Sequence, residues 1–291
     1  MTASLAFLSD RGVLRVSGPD AMTFLQGLLT NDVENLAAGA ARYAALLTPQ
    51  GKILFDFLVV REAAEPAAFL MDCPADQAPA LAKRLGFYRL RAKVTIDDVS
   101  AELGVAAFWD GAVAAKQGGV VFADPRDARL GFRVIAPRAG LAGEATAQDY
   151  ESRRIALGVP QGGIDFAYGV IFPHDANMDL LHGVDFDKGC YVGQEVVSRM
   201  RHRAALRKRI IQMRVAGSTP APGTPVLDGE LNVGTLGSSA GAIALAQVRL
   251  DRIEDARAAG RALSAGGVTI EAIEGQPLLA EAKLSGAPSP P

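Results

Sequence analysis

The stretch "DKGCYVGQEVVSR", residues 187–199, carries one of only two cysteines in a chain of 291 residues. Cys190 sits between Gly189 and Gly193, glycines that let a backbone turn tightly and let another group come close. "GQEVVSRMRHR" has helical potential, with Gly193 near its start and Glu195 in its first turn. Cys190 is therefore expected just ahead of a helix N-terminus and beside the Lys188 ammonium. Both features favour the thiolate, the form that attacks electrophiles or binds soft metals. The alternative is a small buried thiol in a tight turn, with Glu195 only complementing the helix dipole.

The rest of the chain bounds what that thiol can do. Its length suffices for two or three packed units with a sizeable core. Hydrophobic residues make up 49 % and charged residues 21 %, an ordinary globular balance. The formal net charge of −2 gives the whole molecule no reason to seek nucleic acid or membrane, although a local patch still can. Cys73 and Cys190 are too few for a disulfide framework or a four-thiolate metal site. "MTASLAFLSDRGVLRV" lacks a basic n-region followed by an apolar run, and no apolar stretch reaches about 18 residues without a charge. A cytosolic protein with reduced thiols, no membrane span and no secretory signal is expected.

Along the chain, "GVLRVSG" (12–18) reads as a strand, and "SGPDAMTFLQGLLTND" (17–32) as a helix with Ser17 and Asp20 at capping-box spacing. "ARYAALL" and "KILFDFLVV" read as strands of a hairpin closed by "TPQG". A strand around Phe69, a helix "APALAKRLGFYRL", a strand "AKVTID", "LGVAAFW", a short Ala-rich helix and "GFRVIA" follow. Without a sustained parallel rhythm or any GxGxxG, the expected class is α+β. "AQDYESRRIALG" (147–158) reads as a helix stopped by Gly158, with Pro160 beyond. From Arg207 on, short strands split by Gly and Pro predict a separate small β-barrel or sandwich. The boundaries expected are a body over 1–206, a barrel over 207–284 and a disordered tail over 285–291.

"KGCYVGQE" matches the KGCYxGQE signature of the YgfZ family, which is related to the T-protein (aminomethyltransferase) of the glycine cleavage system. "LRVSGPDAMTFLQGLLTNDV", "ALLTPQGKILFDFLV", "YESRRIALGVP", "FPHDANMD" and "GTPVLDGELNVGTLGSSAGAIALAQVR" resemble the same family in the same order, with a weaker fit over about 60–145. The resemblance implies a T-protein-like fold, two interlocked α+β domains around a central folate hole followed by a β-barrel. It implies a protein that binds reduced folate, in the form of polyglutamylated tetrahydrofolate. It further implies support for iron–sulfur cluster assembly or repair in client enzymes, including a tRNA-modifying radical enzyme. Carried over by position, Cys190 is the functional cysteine, and Lys188, Tyr191, Gln194 and Glu195 complete the signature.

One departure bears on folate. T-proteins resemble one another in a motif R-[LI]-E-x-G, whose carboxylate reads the donor edge of the pterin; here the segment runs Arg154-Ile155-Ala156-Leu157-Gly158. Buried pterin donors would need another acceptor, and Glu151, Asp165, Asn177 and Asp32 are the alternatives. "SRMRHRAALRKR" (198–209), with Arg199 near its start, reads as a cradle for folate carboxylates, as an RNA-contacting strip or as a solvated link into the barrel. No stacked aromatics accompany it, so direct nucleic-acid binding is not expected. His174, His182 and His202 lack metal-ligand spacing. Cys73, in "MDCPAD", has an acidic flank and reads as a quiet structural thiol. Beside the maturation-factor reading stand a tetrahydrofolate-dependent one-carbon (aminomethyl) transferase and a non-catalytic scaffold for iron–sulfur proteins.

Overall fold

The computed structural model describes residues 4–111, 119–202, 207–274 and 276. The chain divides into two compact units, Met1–Glu151 with Asp179–Gln194, and Ser152–Met178 with Glu195–Pro291. The Ala-rich helix expected near residue 115 and the tail over 285–291 lie outside the described residues.

The first unit holds two antiparallel sheets. One has the order β3 (Ala41–Leu47), β4 (Ile53–Arg61), β5 (Ala68–Pro74), β2 (Arg11–Ser17), β6 (Thr95–Asp98). The other runs β1 (Ser4–Phe7), β7 (Leu103–Trp109), β9 (Phe132–Pro137), β8 (Val120–Ala123). β3 and β4 are apolar almost continuously and buried almost continuously, as strands covered on both faces are. The "TPQG" turn closes their hairpin, with Gly51 at φ +78° donating to the Thr48 carbonyl. Leu25, Leu29, Phe57, Phe69 and Leu81 meet in one core that joins this sheet to α1 (Ala21–Gln26) and α2 (Ala78–Arg89).

α1 is far shorter than the helix expected over 17–32, and neither Ser17 nor Asp20 caps it with a side chain. Ser17 ends β2, and the Asp20 carboxylate accepts from the Lys93 amide instead. Beyond Gln26 the edge of β3 captures the chain: Leu29 bridges Leu46, and the Thr30 amide donates to Ala45. The helix therefore stops, leaving carbonyls at its C-terminal end that need other partners.

In the second unit, α3 (Ala147–Ala156) straddles the division and is followed by Gly158 at φ +72°. The expected barrel is present as a closed six-stranded one, ordered β10 (Lys208–Val215), β13 (Ile243–Arg249), β12 (Leu231–Ala240), β11 (Pro225–Asp228), β14 (Leu263–Ala265), β15 (Val268–Ala272). Ile211, Met213, Val233, Leu236 and Ile270 fill it, and α5 (Leu250–Ala258) adds Leu250, Ile253 and Ala256. Among the described residues no helix is long and apolar enough to cross a membrane.

Candidate functional site

The segment 183–193 is tied down before it reaches Cys190. The Thr30 hydroxyl donates to the Gly183 carbonyl, and the Asp185 amide donates to Thr30. The Asp185 carboxylate then accepts from the amides of Asp187 and Lys188, closing a tight turn. Lys188 reaches back from this turn, and its Nζ lies 2.8 Å from each of the carbonyl oxygens of Gln26, Leu29 and Asn31. Gln26 is the last residue of α1 and Leu29 and Asn31 lie in the loop that follows it, so an ammonium with three donors satisfies three carbonyls at and just beyond the helix end. The Tyr191 ring covers the same ammonium at 5.4 Å. Burial pushes the Lys188 pKa down to about 8, against the pull of Asp32 and Asp185. Tyr191 is itself buried, and burial raises its phenol.

Gly193 closes the segment on the other side. It has φ +82°, and a Cβ there would lie 2.6 Å from the Thr48 carbonyl oxygen, so the β3–β4 turn admits only glycine. Gly189 is different: no atom lies within 4 Å of where its Cβ would be. The tight approach expected of both glycines belongs to Gly193 alone. Gly189 instead borders a cleft of about 290 Å³ with Cys190, Met22, Thr23, Gln26, Gly27 and Glu34.

Cys190 stands exposed at this cleft, whereas Cys73 is fully buried on β5, where desolvation raises its thiol to about 12. The helix expected after the cysteine is α4 (Gln194–His202), with Glu195 in its first turn. The two features expected to favour thiolate have distinct fates. The helix follows as read, but all three Lys188 donors are occupied by carbonyls, which makes Lys188 a clamp on the loop. Gln194 is half-buried, its amide donating to the Tyr191 carbonyl. Glu195 is exposed and pairs with Arg199 one turn on, an arrangement of small energetic weight in water.

Three of the four acceptors considered for a pterin are engaged in local structure. Asp32 is buried; burial would raise its pKa, but donors from Asn35, Gln26 and the Glu34 amide outweigh that and hold it low. Asp165 takes the Arg154 guanidinium at 3.0 Å and both the amide and hydroxyl of Ser238. Asn177, in left-handed conformation, exchanges two hydrogen bonds with the Ile210 backbone of β10. These three residues fix local structure. Ala156 is exposed, its carbonyl accepting from Gln212, and Glu151 lies half-buried on α3. Of the basic run, Arg209 is buried with a donor on the His174 carbonyl, so it belongs to the barrel's support.

A buried ionic network escaped the sequence reading. Arg133 on β9 donates to Asp72 on β5 at 2.5 Å, to Asp124 at 3.1 Å and to the Tyr150 hydroxyl at 2.6 Å. Arg11 holds the other oxygen of Asp72, and Arg126 grips Asp124 with two nitrogens. Burial opposes ionisation of Asp72, yet Arg11 and Arg133 keep its pKa low. Buried charges survive only when paired in this way. The network joins the two sheets of the first unit. A charged residue inside each apolar strand, "FLMDC" and "GFRVIA", was the available signal.

Among the described residues no three His, Cys, Asp or Glu side chains converge as a metal site. The arrangement offers one accessible thiol on a braced loop, over a small cleft, in a body that carries a separate barrel. Fold and site together place the chain among T-protein-like proteins with a terminal barrel. Residues 2–112 match the family described as "GCVT N-terminal domain" and residues 207–276 the one described as "CAF17, C-terminal beta-barrel domain". The fold is also that of the glycine cleavage system aminomethyltransferase T from Bartonella henselae, with a TM-score of 0.74 over 96 % of this chain and 87 % of that one, at 18 % identity. The chain belongs to the family of the iron–sulfur cluster assembly factor IBA57. It is 36 % identical over 279 residues to the human mitochondrial protein of that name, covering 85 % of this chain and 78 % of the relative. The Mycosarcoma maydis homologue is 34 % identical over 243 residues, which are 75 % of this chain but 59 % of the longer fungal protein. These relatives are named mitochondrial, which overturns the cytosolic placement expected from the sequence.

Proposed function

We propose that this chain is an iron–sulfur cluster assembly factor, with Cys190 as the thiolate it presents to a cluster or to the protein that carries one. The exposure of Cys190 on a clamped loop, against the complete burial of Cys73, is the observation that carries the reading. Stable clusters take about four cysteine ligands, with histidine as an occasional substitute. The chain has two cysteines in all, one of them inaccessible. The remaining ligands must come from a partner protein, a small thiol or a second copy. Its clients, on the YgfZ resemblance, include a tRNA-modifying radical enzyme. Anaerobic incubation with ferrous iron and sulfide tests the ligand count: the monomeric chain, without added thiol, should develop no stable cluster absorption. A stable cluster on the chain alone, retained in Cys190→Ser, would refute it.

Binding of reduced folate is the second part of the proposal, and it rests on the resemblance. Calorimetric titration with mono- and polyglutamylated tetrahydrofolate tests it, the longer tail being expected to bind more tightly. Since Asp32, Asp165 and Asn177 are engaged in local structure, substituting the exposed Ala156 by Glu is the informative variant; it should strengthen binding if α3 faces the pterin. No heat with either folate at millimolar concentration would remove folate from the account.

A further inference from the structure

The end of α2 and the residues after it carry a surface that cluster assembly does not explain. Residues 82–93, "AKRLGFYRLRAK", contain five Lys or Arg and no carboxylate, in a chain of net charge −2. α2 turns Ala78, Leu81 and Leu85 inward, yet Phe87 is 62 % and Leu90 is 89 % exposed. Leu90 also has φ +42°, a backbone region that disfavours any side chain and that glycine fills at no steric cost. A leucine is thus held outward where a glycine would serve the helix end better. Lys83, Arg89, Arg91 and Lys93, all exposed, flank the two apolar groups in sequence. The segment is braced, because the Lys93 amide donates to Asp20 and its carbonyl packs against Gly18. The patch ends at β6, where Asp97 and Asp98 are exposed.

We propose that this surface is a peripheral docking site for an anionic lipid bilayer. Phe87 and Leu90 would enter the boundary between headgroups and acyl chains, while the cations lie at phosphate depth with their alkyl stems along the apolar groups. A second copy of the chain is a poor occupant, since a two-fold contact would set these like charges face to face. Single-stranded nucleic acid needs successive stacking rings, but the Tyr88 ring is covered by the Arg84 guanidinium at 5.6 Å, leaving Phe87 alone. A fluid lipid surface accepts two protruding groups without a matching pocket. The proposal is independent of the cluster reading.

Co-sedimentation of the full chain with phosphatidylcholine vesicles, with and without about a third phosphatidylglycerol, tests it. Binding is expected only with the anionic lipid, and it should fall at high salt. The pairs Phe87→Ser/Leu90→Ser and Arg89→Glu/Arg91→Glu should each weaken it about tenfold or more. Arg252→Glu, on the solvent side of α5, should leave it unchanged, and thermal unfolding should show all variants folded. Absence of binding to the anionic vesicles, or binding indifferent to either pair, would overturn the proposal and assign the patch to an acidic protein.

Discussion

The Nζ of Lys188 lies 2.8 Å from the carbonyl oxygen of Gln26, the last residue of α1. The lysine of the "KGC" stretch thus ends a helix more than a hundred and fifty residues earlier in the chain. Burial lowers its pKa from 10.5 to about 8. Between those values the unfolded chain holds more of this proton than the folded one, so the site's contribution to stability rises with pH across that window and is flat below it. Urea unfolding of the wild type and Lys188→Met, from about pH 7 to about pH 10, should show their difference growing with pH in favour of the wild type. A difference that shrank over this range would contradict the burial of the ammonium.

The two glycines flanking the cysteine should separate sharply. Gly193→Ala forces a Cβ against the Thr48 carbonyl at positive φ and should cost about 1–3 kcal/mol in urea unfolding. Gly189→Ala meets nothing and should leave stability within about 0.5 kcal/mol. Its methyl group would instead alter the mouth of the cleft beside Cys190. Equal stability losses from both substitutions would show that the loop is held differently.

Arg133 is the bridge between the sheets. Replacing it with Met leaves Asp72 and Asp124 buried with fewer partners and should destabilise the protein by about 3–5 kcal/mol. Chemical denaturation measures this directly. Arg199→Met, which removes only an exposed pair with Glu195, should change the midpoint little. A tolerant Arg133 would mean that water reaches the network.

The elements that the sequence disclosed were those whose signals are local. The "TPQG" hairpin, the stop at Gly158 and the Gly- and Pro-split strands after Arg207 all formed where turn chemistry placed them. α5 was missed among the short strands expected there, although Leu250, Ile253 and Ala256 at helical spacing were the available signal. The truncation of α1 was not legible, because it depends on β3 capturing Leu29 and Thr30 across the fold. The same holds for the site. Exposure of Cys190 and burial of Cys73 followed from their flanks, whereas the clamp made by Lys188 includes the Gln26 carbonyl, which only the shortened helix releases. Asp32 and Asn177 show the reverse: their residue types suited a ligand, but their tertiary neighbours had already claimed them.

Cys190 is central, and the most direct measurement of its role is complementation in a cell lacking its own copy of the gene. Wild type and Cys190→Ser are expressed at matched levels, and the activity of an iron–sulfur enzyme is read out. A thiol-to-hydroxyl change on an exposed loop should leave folding intact, which the melting temperature of the purified variant checks. The wild type should restore the enzyme, and the serine variant should leave it depressed. Full restoration by Cys190→Ser would contradict this role of the thiol.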